Sequence, residues 1–266
     1  MSAADAAGLW EENAEAWTRL SRAGYDVYRD ALNTPAFLAM LPPISGLEGL
    51  DIGCGEGSNT RKLAQLGARM RGVDIAPTFI RHARETEAAG PLGIDFEVAD
   101  GMSLPFAGGS FDFVTAFMSL MDMPDHGLAL KEAYRVLRPG GFLQFSIPHP
   151  CFAPPLRKVL RNGDGSVRAV EVAGYFDGLD GDVETWWFST LPAAERERVA
   201  PFRVARYHRT LSSWVRILCQ AGFQIREFGE PSASAELAQR VPTVADTRVA
   251  GLFLHILAGK PELTYR

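Results

Sequence analysis

Between residues 48 and 148, short apolar runs alternate with stretches whose apolar residues recur at helical spacing. The runs predict strands at 48–52, 70–75, 95–99, 111–117 and 141–147. The stretches between them predict helices at about 58–66, 77–88 and 124–137. Gly67 stands where it would end the first of these helices, and Pro139-Gly140-Gly141 where it would end the third. Alternation of this kind implies a parallel sheet with helices on both faces and right-handed crossovers. Upstream, Trp10, Ala14, Trp17 and Leu20 fall at helical spacing. Residues 8–41 therefore read as helical, with a second segment at 34–41 halted by Pro42-Pro43. Past residue 210 a helix at 212–221, a strand at 223–229, a helix near 233–240 and a strand at 251–258 are expected. Residues 149–210 break the rhythm. They are rich in Pro, Gly and aromatics without a clean period, and a stretch of that length reads as a lid or binding segment.

Composition narrows the field. With 47% hydrophobic residues, 266 residues can bury a full core. A net charge of −5 and the lack of a basic run argue against a nucleic-acid partner. The short cluster Arg157, Lys158 and Arg161 reads as a solvated face. Cys54, Cys151 and Cys219 are scattered without metal-ligand spacing, so no metal is expected and a reduced, cytoplasmic protein is. The acidic, alanine-rich start lacks the basic opening of a signal peptide. No apolar run approaches the roughly 18 residues of a membrane span, so no membrane partner is expected.

The most informative stretch joins the first strand to the first of these helices as Asp51-x-Gly53-x-Gly55-x-Gly57. Glycine allows a sharp turn and lets a ligand approach bare main chain. A second acid, Asp74, ends the next strand, 21 residues after Gly53, where a carboxylate can accept both hydroxyls of a ribose. Asp100 ends the third strand, where it can accept an adenine amino group while the N–H groups of Gly101 and Met102 reach the ring nitrogens. An acid inside the turn suits a ligand with hydroxyls and an ammonium group better than one with a pyrophosphate. S-adenosylmethionine is such a ligand.

These residues and their order resemble the class I S-adenosylmethionine-dependent methyltransferases, especially the small-molecule type 11 group. The matching pieces are Gly49-Leu-Asp-Ile-Gly-Cys-Gly-Glu-Gly57, Gly72-Val-Asp-Ile75, Asp100-Gly-Met-Ser-Leu-Pro-Phe106, Ser110-Phe-Asp-Phe-Val114 and Arg135-Val-Leu-Arg-Pro-Gly-Gly141. Tyr207-His-Arg-Thr-Leu-Ser212 leading to Gln220-Ala-Gly-Phe223 is similar to the stretch before that family's sixth strand. The resemblance implies an α/β, Rossmann-like, seven-stranded and mostly parallel sheet with an antiparallel last strand, N-terminal helices and a lid insertion after the fifth strand. It divides the chain into an N-terminal helical cap (1–45), a cofactor-binding half (46–148), a substrate lid (149–210) and a C-terminal part of the sheet (211–266). It implies that Gly53, Gly55 and Gly57 line the methionine part of the cofactor, with Asp51 touching it or only bracing the loop. It implies further that Asp74 holds the ribose, that Ile75 packs on the adenine, and that Asp100, Gly101 and Met102 read its edge. Phe117 and Met118 would lie near the sulfonium. The product would be S-adenosylhomocysteine.

The acceptor is a harder reading. Enzymes that methylate amino groups of bases or glutamine place Asn/Asp-Pro-Pro-aromatic after the fourth strand. Ala116-Phe117-Met118-Ser119 stands here instead, which points to a small molecule. Met118, Met121 and Tyr207 are expected against the substrate. His149 and His208 are candidate bases, His149 alternatively fixing its loop through a backbone bond. The aromatics of 149–210 form either a box around a planar or lipophilic substrate or a small satellite core. Trp17, Tyr25, Tyr28 and Arg29 are placed to close the cofactor site, and Arg29 to pair with a carboxylate. Two rivals stand beside this reading. A nicotinamide-dependent oxidoreductase predicts Gly-x-Gly-x-x-Gly, where Ser58 holds the last position. A non-enzymatic binding protein would keep the pocket without the chemistry.

Overall fold

A computed structural model describes residues 2–262. Met1 of the predicted cap and residues 263–266 of the predicted C-terminal part lie outside the described residues. The chain opens with α1 (Ala3–Arg22), whose first turn is closed by Ser2 and Asp5: Ser2 Oγ accepts from Asp5 N, and the Asp5 carboxylate accepts from Ser2 N. A π-helical turn (Arg29–Asn33) leads into α2 (Thr34–Met40). The alternating region follows as β1 (Glu48–Ile52), α3 (Ser58–Gln65), β2 (Arg69–Asp74), α4 (Pro77–Ala89), β3 (Asp95–Val98), β4 (Phe111–Phe117), α5 (His126–Val136) and β5 (Leu137–Pro148). Beyond it come β6 (Leu156–Arg161), β7 (Val167–Ala173), β8 (Asp182–Trp186), α6 (Ala193–Arg196), β9 (Phe202–Arg206), α7 (Leu211–Ala221), β10 (Gln224–Gly229), α8 (Ala235–Arg240) and β11 (Phe253–Gly259).

Seven strands form one sheet in the order β10-β11-β5-β4-β1-β2-β3. Strand β11 is antiparallel to both neighbours, β5 and β10, while β1 to β5 run parallel. The predicted sheet and its reversed last strand are thus observed. Strand β1 is flanked by β2 on one side and β4 on the other, so the winding reverses there. The carboxyl ends of β1 and β4 frame the crevice where open α/β sheets bind ligands. Phe113, Phe145, Leu50 and Leu143 lose all or nearly all solvent contact inside this sheet, each worth about 1.5–3 kcal/mol.

Buried polar bonds lock the N-terminal helices onto it. Gln144 Nε2 on β5 donates to the Phe37 carbonyl on α2. Asn33 Oδ1 accepts from Ser146 Oγ at 3.1 Å and His255 Nε2 at 2.6 Å. Burial holds His255 down to about 4, so its ring is neutral and Nε2 carries the donated proton.

Two expectations need correction. Pro139-Gly140-Gly141 does not cap a helix: α5 already ends at Val136, and these residues start β5, with Gly140 N donating to the Lys260 carbonyl next door. Residues 149–210 are not irregular: β6 pairs with β7 and β8 with β9 as two antiparallel hairpins. Asn162-Gly163-Asp164-Gly165, the turn of the first hairpin, was a readable signal, with Gly165 at φ +83°. Strands β6 and β7 are exposed or half-buried along their length, so no apolar alternation announces them.

Candidate active site

One cavity of about 620 Å³ runs from the carboxyl ends of β1, β2 and β3 up to the hairpin segment. Its floor is the turn after β1. Gly53 N and Cys54 N both donate to the Val73 carbonyl, Gly55 N donates to Asp74 Oδ2 at 2.8 Å, and Gly57 N donates to the Cys54 carbonyl. The three glycines serve different ends. A Cβ on Gly53 would run into the Ser119 side chain, whose Oγ donates to the Ile52 carbonyl. A Cβ on Gly57 would stand 2.8 Å from the Phe96 ring. A Cβ on Gly55 would meet nothing within 4 Å, because that residue faces the open cavity.

Asp74, Ile75, Asp100, Gly101, Met102, Phe117, Met118, Met121, Tyr207 and His208 all line this cavity, with Gly53 and Gly55. Asp74 accepts from Gly55 N and Ala76 N, one bond to each oxygen, which fixes the carboxyl and leaves acceptor capacity over. Burial pushes it up to about 6. Asp100 Oδ1 accepts from Met102 N at 2.8 Å, so the expected Met102 N–H donor is spent inside its own turn. Met118 has φ +53°, the one non-glycine in the left-handed region among the described residues. Strain of that kind gathers at ligand sites, and this residue sits where the sheet reverses.

Three expected site residues stand elsewhere, and a fourth is spent on neighbours. Asp51 lies under the turn, 2% exposed, accepting from Thr60 Oγ1 at 2.6 Å and Thr115 Oγ1 at 2.8 Å. It braces the turn and does not face the cavity. Gly57 packs against Phe96 behind it. His149 is also off the cavity: Nδ1 accepts from Cys151 N and Nε2 donates to Glu230 at 2.8 Å, so neither nitrogen is free to take a proton. Arg29 does line the cavity, but its guanidinium is engaged by Ser21, Asp30, Asp26 and Glu56. His208 differs from His149. Its Nε2 donates to the Tyr175 carbonyl at 2.9 Å, leaving Nδ1 unprotonated, and burial holds the ring below the ordinary histidine value.

The roof is aromatic. Trp17 packs on Trp186, Phe188 and Phe202 at centroid separations of 4.8–5.4 Å. Phe188 and Phe202 are buried in this seam, while Trp17, Trp186, Trp187 and Phe188 also line the cavity. The satellite core and the apolar wall are one cluster. Sequence reasoning missed Asn33, Asp26 and Asp122, which all reach the cavity. Asn33 is 1% exposed and its Nδ2 has no partner. Asp26 is pushed up to about 6 by burial, against the pull of Arg29. No motif marks these three; only the tertiary fold gathers them.

The donor set fits a nucleoside carrying an amino-acid tail. Asp74 and Asp100 offer acceptors at the strand ends, Gly55 leaves an open cradle, and the orphaned Asn33 amide offers a buried donor. It does not fit a pyrophosphate. The turn's N–H groups at 53, 54, 55 and 57 are bonded internally, and two acids would face the phosphates.

Comparison with known proteins agrees. The methyltransferase domain family (Methyltransf_11) matches residues 50–145. The chain is 32% identical over 180 residues to 27-O-demethylrifamycin SV methyltransferase of Amycolatopsis mediterranei, covering 63% of this chain and 61% of that one. It is 33% identical over 175 residues to 2-methyl-6-phytyl-1,4-hydroquinone methyltransferase of a Synechocystis species, covering 59% and 54%. The chain thus spans little more than half the length of these curated relatives. Among solved structures, an S-adenosylmethionine-dependent methyltransferase from Mesorhizobium loti superimposes with a TM-score of 0.67 at 27% identity, over 85% of this chain and 96% of that one.

Proposed function

The chain belongs to the class I S-adenosylmethionine-dependent methyltransferases by the domain that residues 50–145 carry, and from that premise we propose that it methylates a small organic acceptor at oxygen, nitrogen or carbon. The observation that carries this reading is the single cavity lined at one end by Gly55, Asp74 and Asp100 and at the other by the aromatic roof. A donor and an acceptor can meet there out of bulk water.

When bound, S-adenosylmethionine supplies a methyl group made electrophilic by its positively charged sulfur. Asp74 would accept the ribose hydroxyls with the lone pairs its two backbone bonds leave over. Asp100 and the Gly101 N–H would read the adenine edge, and Asn33 Nδ2 would donate to the carboxylate of the tail. Phe117, Met118 and Met121 give the reacting region an apolar lining that suits loss of positive charge as the methyl moves. The relatives' names speak of a hydroquinone and of a demethylated oxygen, which supports a hydroxyl-bearing or electron-rich ring acceptor for this chain too. The scattered free cysteines and the acidic charge support a reducing compartment and no nucleic-acid partner. Among the described residues no helix is long and apolar enough to cross a membrane.

Calorimetry tests the reading directly. S-adenosylhomocysteine should bind with a 1:1 stoichiometry and NAD should not; binding of NAD alone would reverse the assignment. Transfer of labelled methyl to a phenol and hydroquinone set should then follow, and a protein that binds the nucleoside yet methylates no acceptor would be a binding protein instead.

A further inference from the structure

Among the described residues, Asp122 is the one cavity-lining acid without a partner. It closes the 3₁₀ turn Leu120–Asp122 after β4 and lines the cavity. Among the described residues its carboxylate makes no hydrogen bond and no ion pair. The acids around it are engaged: Glu184 pairs with Arg206 at 2.9 Å, and Asp180 with Arg209 at 2.9 Å. Burial pushes the Asp122 carboxyl well above its ordinary value, with Arg206 opposing and Glu184 adding to the rise.

Its position is fixed from both sides. Asp122 N donates to the Ser119 carbonyl, and Ser119 Oγ donates to the Ile52 carbonyl, so the turn is tied to the floor beside the glycine loop. The same turn packs against β9, the strand leading into Tyr207. Tyr207 is 4% exposed, lines the cavity, and its hydroxyl has no partner. Asp122 and Tyr207 thus stand within electrostatic reach of one another where floor and roof join, in a chamber whose walls include Trp17, Trp186, Trp187 and Phe188. Leaving the buried Tyr207 hydroxyl unpaired costs about 1–3 kcal/mol, a cost that a bound ligand removes, while the half-buried Asp122 carboxylate keeps its acceptor capacity open to the cavity.

Building on the methyltransferase reading, we infer that the acceptor is an aryl alcohol whose hydroxyl is held between Asp122 and Tyr207, with Asp122 as the catalytic base. The ring lies against the tryptophans. The Tyr207 hydroxyl donates to the acceptor oxygen, and the acceptor O–H donates to the Asp122 carboxylate. In the transfer, the acceptor oxygen's lone pair forms the bond to the methyl carbon as the carbon–sulfur bond breaks, and that bond's electron pair stays on sulfur as the neutral thioether. The O–H bond gives its electron pair to oxygen and its proton to the Asp122 carboxylate, which becomes a neutral carboxylic acid and later gives the proton to water. The charged groups facing Asp122 are Arg206 and Glu184 from the hairpin strands, with Tyr207 beside them.

The test uses the full chain loaded with S-adenosylhomocysteine and 4-nitrocatechol as probe, then S-adenosylmethionine for turnover. Wild type should bind the probe saturably by absorbance, and Tyr207→Phe should weaken that binding about tenfold. Asp122→Asn should lower kcat by about 10²-fold or more, keep the acceptor KM within a few-fold, and remove the acidic limb of the kcat–pH profile. Asp122→Glu should restore part of the rate. Asp122→Asn should also raise the melting temperature of the ligand-free protein, whereas a merely structural acid would lower it. An Asp122→Asn enzyme with kcat within threefold of wild type overturns the inference, as does a tenfold preference for ring amines over the matching phenols. Failure of wild type to bind the probe while S-adenosylhomocysteine binds overturns the inference and leaves the methyltransferase reading standing; failure to bind S-adenosylhomocysteine removes both.

Discussion

The floor and the roof of the cavity are built on different principles. The floor is main chain. Strand ends, a tight turn and backbone N–H groups bonded to Val73 and Asp74 hold it, and each part comes from residues close in sequence. The roof is side chain. Trp17 on α1 meets Trp186, Phe188 and Phe202 from the second hairpin and its connecting loop, more than 160 positions away, and little regular hydrogen bonding links the two. A floor made this way holds one nucleoside in one pose. A roof made this way can be recut by exchanging aromatics without touching the floor, which is how one fold accommodates many acceptors.

The comparison can be broken most sharply at Phe202, which is 1% exposed in the roof seam but does not line the cavity. Phe202→Ala should cost about 3–5 kcal/mol of packing and speed proteolysis within 149–210. S-adenosylhomocysteine affinity should stay within threefold by calorimetry; a large loss of affinity would mean floor and roof are one unit.

Gly53→Ala should cost the floor about 2–4 kcal/mol, from a left-handed φ of +70° and the collision with Ser119. Gly55→Ala carries the strain of a left-handed φ of +55° but no collision, so it should melt above Gly53→Ala in thermal scans yet lose at least tenfold in nucleoside affinity. Unchanged nucleoside affinity in Gly55→Ala would deny that Gly55 faces the ligand.

Asp74→Asn should weaken nucleoside binding by about 1–3 kcal/mol. The pH response has a definite sign. The folded carboxyl titrates near 6 because burial raises it from 3.8. Between those values the folded state holds more protons than the unfolded one, so Asp74 lowers stability as pH climbs through the window. The ionised form is the better acceptor for hydroxyls, so affinity should rise as pH climbs through about 6 and level off above it. Calorimetry on Asp74→Asn should show no such step.

The smallest effect is expected at His149. With both nitrogens engaged by Cys151 and Glu230, His149→Ala should leave kcat within about threefold while lowering stability by about 1–2 kcal/mol, since Cys151 N loses its acceptor. A hundredfold fall in kcat with normal folding would restore it as a base.

The same contrast governs what the sequence revealed. The parallel sheet and the acids at β2 and β3 were readable, because strand period and glycine spacing are local signals; the reversed last strand came only with the family resemblance. Asp51 misled, since its place in the motif is the same whether it faces the ligand or braces the turn through Thr60 and Thr115. His149 misled for a similar reason: a loop after the fifth strand says nothing of which way a ring turns. The hairpins were missed although Asn162-Gly163-Asp164-Gly165 marked one of them, because β6 and β7 bury neither face fully. Asp122 and Tyr207 could not be paired by any spacing rule, as 85 residues separate them.

Helix α1 holds both halves at once. Glu11 accepts from Thr78 N and Oγ1 at the start of α4, and Asn13 exchanges two bonds with the Arg203 backbone on β9. A roof that parted from α1 would give up the Asn13 pair, and one that carried α1 with it would give up the Glu11 bonds and the Arg22 contacts to Glu56 and Thr86 as well.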